Sequence, residues 1–197
     1  MSRTNLNRLE ERGMQKLGVL AVGLALAVGF WVLVSTNATA QINSDDPRIA
    51  LADQCDPTTF PSGLCVATPH TGAVTLAEFG ALLFSPLIAT VVGHPAWRFE
   101  PSFVELRSGH TLRVTNNGGE NHTFTEVVAF GGGFVQALNG VGVAGKVPLT
   151  PAAACVPPPG TAIVAPGSTM EITGLPPGLH SFQCCIHPWM RAAVTVE

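Results

Sequence analysis

Hydrophobic and polar residues alternate with a period of two in several short segments of the C-terminal half of the chain. Residues 103–107 alternate, Ser108 and Gly109 form a turn signal, and residues 111–115 alternate again before a second turn signal at 116–119. This pattern predicts two strands that begin a β-meander, because successive side chains of a strand point to opposite faces of a sheet. Five further strands are expected at 122–128, 162–165, 169–172, 178–184 and 192–196. Short strands at regular spacing, with Gly and Pro between them, predict an all-β sandwich or barrel.

Two segments depart from the period of two. At 75–83, Thr75 is followed three residues later by Glu78, which is the signature of a helix N-terminus and predicts a short helix that packs on the domain. Residues 130–160 contain three consecutive glycines and three consecutive prolines with little alternation. They are interpreted as a long loop or insertion between two parts of the sandwich.

The segment 41–71 contains four prolines and no regular pattern. It also holds Cys55 and Cys65, which are close together in the chain. We expect an extension that folds back on the domain and is stapled by a Cys55–Cys65 disulfide.

The N-terminal residues resemble an export signal. Four basic residues precede an uncharged stretch at 17–34, and Ala38, Thr39 and Ala40 follow it. This layout predicts cleavage between Ala40 and Gln41 and a periplasmic or extracellular protein. The alternative is an uncleaved membrane anchor at 17–34, since an apolar run of this length is just long enough to span a bilayer.

Length and charge then define the organisation of the chain. At 197 residues, we expect a signal at 1–40, an extension with the short helix at 41–94, and one domain at 95–197 with its insertion near 130–160. Removal of residues 1–40 takes away four basic and two acidic residues, which leaves 6 Lys and Arg against 11 Asp and Glu, a net charge of −5. An acidic domain of this kind is not expected to bind nucleic acid.

All five cysteines follow the signal: Cys55, Cys65, Cys155, Cys184 and Cys185. If the protein is exported, four of these cysteines can form two disulfides in an oxidising compartment. The odd number leaves one thiol for another role.

The C-terminal run 182–190 carries the strongest chemical signal. Cys184, His187 and Met190 lie within a few residues of one another and between two predicted strands. A thiolate, an imidazole and a thioether together favour copper over magnesium, calcium or manganese. A second imidazole would complete the set of two His, one Cys and a long axial Met that defines a blue-copper centre, and His122, at the start of a predicted strand, is the best candidate.

This run resembles the copper loop of the cupredoxin family, most closely its amicyanin and plastocyanin branch. The family pattern Cys-x2-His-Pro-x-Met is met by Cys184, His187, Pro188 and Met190. The aromatic residue two places before the cysteine is Phe182, and the Asn-His pair that opens a strand in the family is Asn121 and His122. The resemblance covers about residues 97–197 and implies a cupredoxin-like Greek-key β-sandwich that holds one type 1 copper ion.

The doubled cysteine departs from the family pattern. Strand alternation places Phe182 and Cys184 on one face and Gln183 and Cys185 on the other. Cys184 has the family spacing and is therefore the expected ligand. Cys185 then faces away from the metal and would pair with Cys155, although connectivity is not fixed by sequence.

The resemblance also implies a function. We expect a one-electron carrier, not an enzyme, that exchanges electrons with a protein donor and a protein acceptor. His122 would be buried, whereas His187 would lie near the surface as the exit for the electron. Pro188 and Trp189 would form the docking surface for the partner, with Trp189 partly exposed. The alternative for Trp189 is that it only covers the metal. A membrane would be contacted only through an uncleaved N-terminal segment.

Three alternatives stay open at this point. A copper oxidase or nitrite reductase needs a second site of clustered histidines, and the chain contains no His-x-His pair. An exported protein for copper delivery, or a non-redox domain that keeps the fold, would use the same ligands. A cysteine hydrolase based on Cys184 and His187 lacks an evident third group to orient the histidine.

Met170 is a rival to Met190 as the thioether ligand.

Overall fold

The computed structural model describes residues 46–84, 93–139, 149–156 and 163–197. The expected export signal with its cleavage site, the alternative anchor at 17–34 and parts of the 130–160 insertion lie outside these residues. The elements are β1 (Arg48–Asp53), α1 (Leu76–Phe84), β2 (Trp97–Glu100), β3 (Phe103–Leu106), β4 (Leu112–Asn116), β5 (His122–Thr123), β6 (Thr125–Val127), β7 (Ile163–Val164), β8 (Thr169–Ile172), β9 (Gly178–Gln183) and β10 (Arg191–Val196). None of the described helices is long and apolar enough to cross a bilayer.

The strands form two four-stranded sheets and a small pair. Sheet I has the order β2-β1-β4-β8, sheet II has the order β3-β10-β9-β6, and β5 pairs with β7. Apart from β9 and β10, which follow one another along the chain, neighbours in each sheet come from distant segments, as is typical of Greek-key connections. The expected all-β sandwich is confirmed.

Alternating side chains of the two sheets form one hydrophobic core. Ile49 and Leu51 of β1 are buried in the same cluster as Val194 and Val196 of β10. The residues between them face outward or are only partly buried. The period of two therefore builds a two-layer core, as is usual for packed sheets.

Strand β1 was not predicted, because the prolines in residues 41–71 favour irregular structure. The structure nevertheless contains a strand there. It pairs antiparallel with β2 and parallel with β4, and thus occupies an interior position of sheet I. The segment from Arg48 to Asp53 is therefore part of the sandwich itself. Its last residue, Asp53, is buried.

The β-meander predicted for 103–115 is wrong. Both strands exist, but β3 pairs in parallel with β10 in sheet II, whereas β4 pairs with β1 and β8 in sheet I. The turn at Ser108 and Gly109, where Gly109 has a φ of +82°, carries the chain from one sheet to the other. Alternation specifies which side chains face inward, but it does not choose the neighbouring strand.

The predicted strand 122–128 is also divided in two. β5 pairs with β7, and β6 pairs with β9 of sheet II. Phe124 separates the two pieces. As expected, His122 opens the strand.

The predicted helix is confirmed with its capping box. The Glu78 N–H donates to Thr75 Oγ1 at 3.3 Å, and the Thr75 N–H donates to Glu78 Oε2 at 2.8 Å. Helix α1 packs on the core through Phe79, Leu82 and Leu83. It thus fixes an aromatic side chain, Phe79, beside the candidate site.

Two disulfides connect the pairs expected from the sequence, Cys55–Cys65 and Cys155–Cys185. The first closes a loop at the end of β1. The second ties the described part of the 130–160 segment to the end of β9. Cys184 is the free cysteine of the described chain, and it is buried.

Candidate metal centre

Cys184 follows β9 directly and begins a tight loop that returns into β10. The Cys184 N–H donates to the Met190 carbonyl at 3.0 Å, and the Met190 N–H donates to the His187 carbonyl at 2.9 Å. The Cys184 sulfur accepts two backbone N–H groups, from Thr123 and from His187, each at 3.4 Å. The sulfur is therefore held by backbone groups from two separate segments of the chain.

The alternation expected at the doubled cysteine is present. Phe182 and Cys184 lie in the main core, whereas Cys185 lies in a second small cluster with Cys155 and Val127. The Cys185 N–H donates to Thr123 Oγ1 at 2.7 Å. Cys185 therefore faces away from Cys184 and is consumed by its disulfide.

Three donor atoms converge at this loop. His122 Nδ1 lies 3.8 Å from Cys184 Sγ, His187 Nδ1 lies 3.9 Å from the same sulfur, and the two Nδ1 atoms are 3.3 Å apart. All three residues are buried. In the described parts of the chain, this is the one group of His, Cys, Asp and Glu side chains with spacing suitable for a metal ion.

The spacing of these atoms fits a single first-row metal ion. A point in their plane lies about 2.1 Å from each atom, close to the ~2.0–2.3 Å bonds that imidazole nitrogen and thiolate sulfur make to such a metal. Two imidazoles and one thiolate in a trigonal set are the donors of a blue-copper site. The residues present therefore fit copper.

Met190 is fully buried at the end of the same loop. Met170, the rival thioether, lies on β8 in sheet I, where it pairs with Val114. The loop position favours Met190 as the thioether that would bind the metal, which stays a prediction.

A buried carboxylate that sequence reasoning missed lies behind His122. Asp53 Oδ2 is 2.8 Å from His122 Nε2, and both side chains are fully buried. Asp53 also accepts the N–H groups of Gly119 at 3.0 Å and Glu120 at 3.1 Å. Such a contact orients the ring so that Nδ1 faces the other donors. The two residues are 69 positions apart, so no local motif could reveal the pair.

A second carboxylate lies behind His187. Glu120 Oε2 is 3.5 Å from His187 Nε2 and accepts a hydrogen bond from Trp97 Nε1 at 2.6 Å. The Glu120 side chain keeps 12% of its exposure. Each candidate histidine ligand thus has a carboxylate at the nitrogen that faces away from the sulfur.

These contacts determine the charge state of the cluster. Burial would raise the pKa of the Cys184 thiol, but hydrogen bonds and charge attraction from His122 and His187 hold it well below its usual range. Burial would lower the pKa of His122, whereas its hydrogen bonds and charge interactions with Asp53 and Cys184 raise it to about 10. Burial would raise the pKa of Asp53, but the His122 contact and the two backbone N–H groups lower it. Cys184 is therefore poised as a thiolate, the form that binds metals.

The expectation that His187 lies near the surface is wrong. Its exposed fraction is 3%. Phe79 of α1 and Trp189 contact its ring edge-on, with ring centroids 6.5 and 5.4 Å away. The helix and the tryptophan come from different parts of the chain and cover the ring together.

Trp189 and Pro188 are also buried, with 5% of Trp189 exposed. The expectation of a partly exposed Trp189 is therefore wrong, because this side chain lies over His187 instead of facing solvent. The docking role of Pro188 and Trp189 stays a prediction, without support from exposure.

An open cleft of about 380 Å³ reaches His187 and Glu120 from the surface. Its wall is mainly apolar and includes Leu64, Leu76 and Phe79. Leu64 is 58% exposed and Leu76 is 41% exposed. This cleft is thus a surface opening that leads to a candidate ligand, His187.

Comparison with solved structures finds distant likenesses. The chain is similar to a purple cupredoxin from Nitrosopumilus maritimus, with 16% identity and a TM-score of 0.38 over 77% of this chain and 100% of that one. It is also similar to two amicyanin variants, one in the Cu(I) form and one reduced, with 18% and 22% identity. For both variants, the TM-score is 0.33 over 51% of this chain and 73% of theirs. No known family model and no curated protein matches the chain. A metal site is therefore inferred from the donor atoms of the chain itself.

Proposed function

We propose that the protein holds one type 1 copper ion at His122, Cys184, His187 and Met190, and that it carries single electrons between protein partners. One observation supports this most directly: two imidazole nitrogens and one thiolate sulfur face each other within 3.9 Å in a buried site. The Cys-x2-His-Pro-x-Met spacing and the resemblance to cupredoxins support the same proposal.

Bound copper would supply a one-electron couple between Cu(II) and Cu(I). Electron transfer requires little reorganisation when the ligand geometry changes little between Cu(II) and Cu(I). The residues around the site would keep this geometry fixed. Asp53 fixes the His122 ring, and two backbone N–H groups fix the Cys184 sulfur. Glu120, Phe79 and Trp189 surround His187. These contacts would hold the donor atoms in place for the metal ion.

Burial of the site favours a carrier over a copper enzyme. Catalysis at a metal needs an open position for substrate. His122, Cys184 and Met190 have no exposed surface, and His187 has 3%. A cysteine hydrolase would leave His122 and Met190 without a role, and its nucleophile would be inaccessible.

Electron exchange is proposed to occur through His187. Among the four proposed ligands, it is the one that lines the cleft. A redox partner would approach along the apolar wall near Leu64 and Leu76, which replaces the Pro188–Trp189 edge as the proposed contact. Changing Leu64 to Lys should slow reduction by a partner protein and leave the copper spectrum unchanged.

Export is proposed from the N-terminal pattern and from the two disulfides, which form in oxidising compartments. N-terminal sequencing of protein recovered outside the cytoplasm tests the cleavage. A new N-terminus at Gln41 supports a cleaved signal, and an intact Met1 in the membrane fraction supports the anchor.

An absorption spectrum of the Cu(II)-loaded protein tests the copper site. An intense visible band from thiolate-to-copper charge transfer is expected, with full loss in Cys184→Ser. Met190→Leu should shift the band and the reduction potential, whereas the matched variant Met170→Leu should change neither. A colourless copper complex would contradict the type 1 assignment. A coloured complex without a reversible potential would favour copper delivery over electron transfer.

A further inference from the structure

The buried carboxylate of Asp53 has no counterpart in the Cys-x2-His-Pro-x-Met motif. It contacts His122 Nε2 at 2.8 Å, on the side of the ring opposite Nδ1. Asp53 is the last residue of β1, and its side chain has no exposed surface. A buried carboxylate is energetically unfavourable unless it is fully hydrogen-bonded. The Asp53 carboxylate therefore depends on its hydrogen-bond partners, among which His122 provides a side chain.

The turn after β4 is shaped around this carboxylate. The N–H groups of Gly119 and Glu120 donate to its two oxygens, and the Cys55 N–H lies 3.4 Å from Oδ1. A Cβ atom at Gly118 would lie 1.8 Å from Asp53 Oδ2. The same Cβ atom would lie 2.8 Å from the Asp53 backbone nitrogen, so residue 118 is restricted to glycine by the position of Asp53.

Glu120 has a similar but weaker arrangement behind His187. Its Oε2 is 3.5 Å from His187 Nε2, it is shared with Trp97, and its side chain is 12% exposed. Because solvent screens charge and distance weakens it, Glu120 should act less strongly than Asp53.

On the basis of the copper site proposed above, we infer that Asp53 is a positioning residue that fixes His122 for the metal and favours Cu(II) over Cu(I). A carboxylate at the far nitrogen makes the imidazole a stronger ligand. A buried negative charge stabilises the more highly charged metal ion more than the less charged one, since attraction scales with the product of the charges. Asp53 therefore lowers the reduction potential, and Glu120 lowers it by a smaller amount.

The test compares the reduction potential and the affinities for Cu(II) and Cu(I) of the full mature chain and three variants. Asp53→Asn keeps the shape and removes the charge. It should raise the potential and weaken Cu(II) binding by about 10- to 100-fold, as loss of a partner behind a ligand does, with a smaller effect on Cu(I). Glu120→Gln should change both in the same direction by less. Gly118→Ala should displace the Asp53 carboxylate without removing its charge and should also raise the potential.

Matched controls use carboxylates beside histidines that are not proposed ligands. Asp46 lies 3.3 Å from His110, and Glu126 lies 2.6 Å from His180. Asp46→Asn and Glu126→Gln should leave the potential and both copper affinities unchanged. A purely structural role for Asp53 would lower stability without changing the ratio of Cu(II) to Cu(I) affinity.

The outcomes separate this inference from the copper proposal. A wild-type protein without the visible band contradicts the type 1 site itself. A coloured wild type whose potential is the same in Asp53→Asn and Gly118→Ala overturns the inference alone. If Asp53→Asn does not fold, Gly118→Ala and Glu120→Gln decide: an unchanged potential in both overturns the inference, and a raised potential in both supports it.

Discussion

Phe182 and Phe124 form a stacked pair beneath the candidate ligands. Their ring centroids are 4.4 Å apart with an interplanar angle of 14°, and both rings are buried. Each lies two residues from a proposed ligand, Phe182 before Cys184 and Phe124 after His122. The aromatic residue two positions before the cysteine therefore has a packing role, because it connects β9 to the segment that carries His122.

Phe182→Ala should lower the free energy of unfolding by about 3–5 kcal/mol, because it removes a buried ring and leaves a cavity. Phe103, which is 63% exposed on β3, provides the matched control, and Phe103→Ala should change stability by about 0.5 kcal/mol or less. Urea denaturation of the metal-free proteins measures both. Equal losses in the two variants would show that the Phe124–Phe182 stack is not a principal stabilising contact.

His180 provides a pH-dependent contact between two strands of sheet II. Its Nδ1 lies 2.6 Å from Glu126 Oε1, and its Nε2 lies 2.8 Å from the Pro176 carbonyl. Both partners are acceptors, so only the protonated ring can donate to both. The Glu126 contact, followed by the Pro176 carbonyl, raises the pKa of His180 above its usual 6.5.

Because the folded pKa of His180 is raised, its protonation stabilises the fold fully below about 6.5, the unfolded value. This stabilisation is lost as the pH rises through the higher folded value. The difference in unfolding free energy between wild type and His180→Gln should therefore shrink as the pH is raised above about 6.5. Urea titrations of both proteins at several pH values measure it. A difference that stays constant or grows with pH would contradict this account of His180.

At the scale of elements, the local pattern predicts a helix more completely than it predicts the sheets. The capping box at Thr75 and Glu78 places the start of α1 correctly, because all of its determinants lie within one turn. The bounds of β8 agree with the alternation at 169–172. The alternation wrongly predicts that β3 and β4 pair with each other, because pairing depends on residues far away in the chain, which a period of two does not specify.

Thr75→Ala should lower the free energy of unfolding by about 1 kcal/mol, since it removes the side-chain oxygen that accepts the Glu78 N–H. Thr75→Ser keeps this oxygen and should be close to wild type. Chemical denaturation of the three proteins gives the comparison. If the serine variant is as unstable as the alanine variant, the methyl group of Thr75 and not its hydroxyl provides the stabilisation.

At the scale of the whole molecule, the sequence identifies the proposed ligands but not the residues that surround them. Cys184, His187 and Met190 are recognisable because they lie on one loop, and His122 because it opens a strand after an asparagine. Asp53 could not be assigned, since β1 was not recognised and the residue lies 69 positions from His122. The burial of His187 was missed in part for the same reason: Phe79, which covers it together with Trp189, belongs to a helix more than a hundred residues earlier.

The proposed ligands come from separate segments of the sandwich, so metal binding should stabilise the whole domain. His122 lies on β5, and Cys184 and His187 lie on the loop between β9 and β10. A ligand that binds only the folded state adds about 2.7 kcal/mol at a free concentration one hundred times its dissociation constant. Thermal unfolding with Cu(I) under an inert atmosphere should therefore occur at a higher temperature than without it.

Cys184→Ala provides the control for this rise in unfolding temperature, because it removes the proposed thiolate ligand. Each protein is compared with its own metal-free form. The variant should lose most of the increase in unfolding temperature. The four histidines outside the site, His70, His94, His110 and His180, are retained in it and report any binding elsewhere. An equal gain in wild type and variant would place the stabilising ion at such a histidine, and the link between the Cys184 centre and the stability of the sandwich would be wrong.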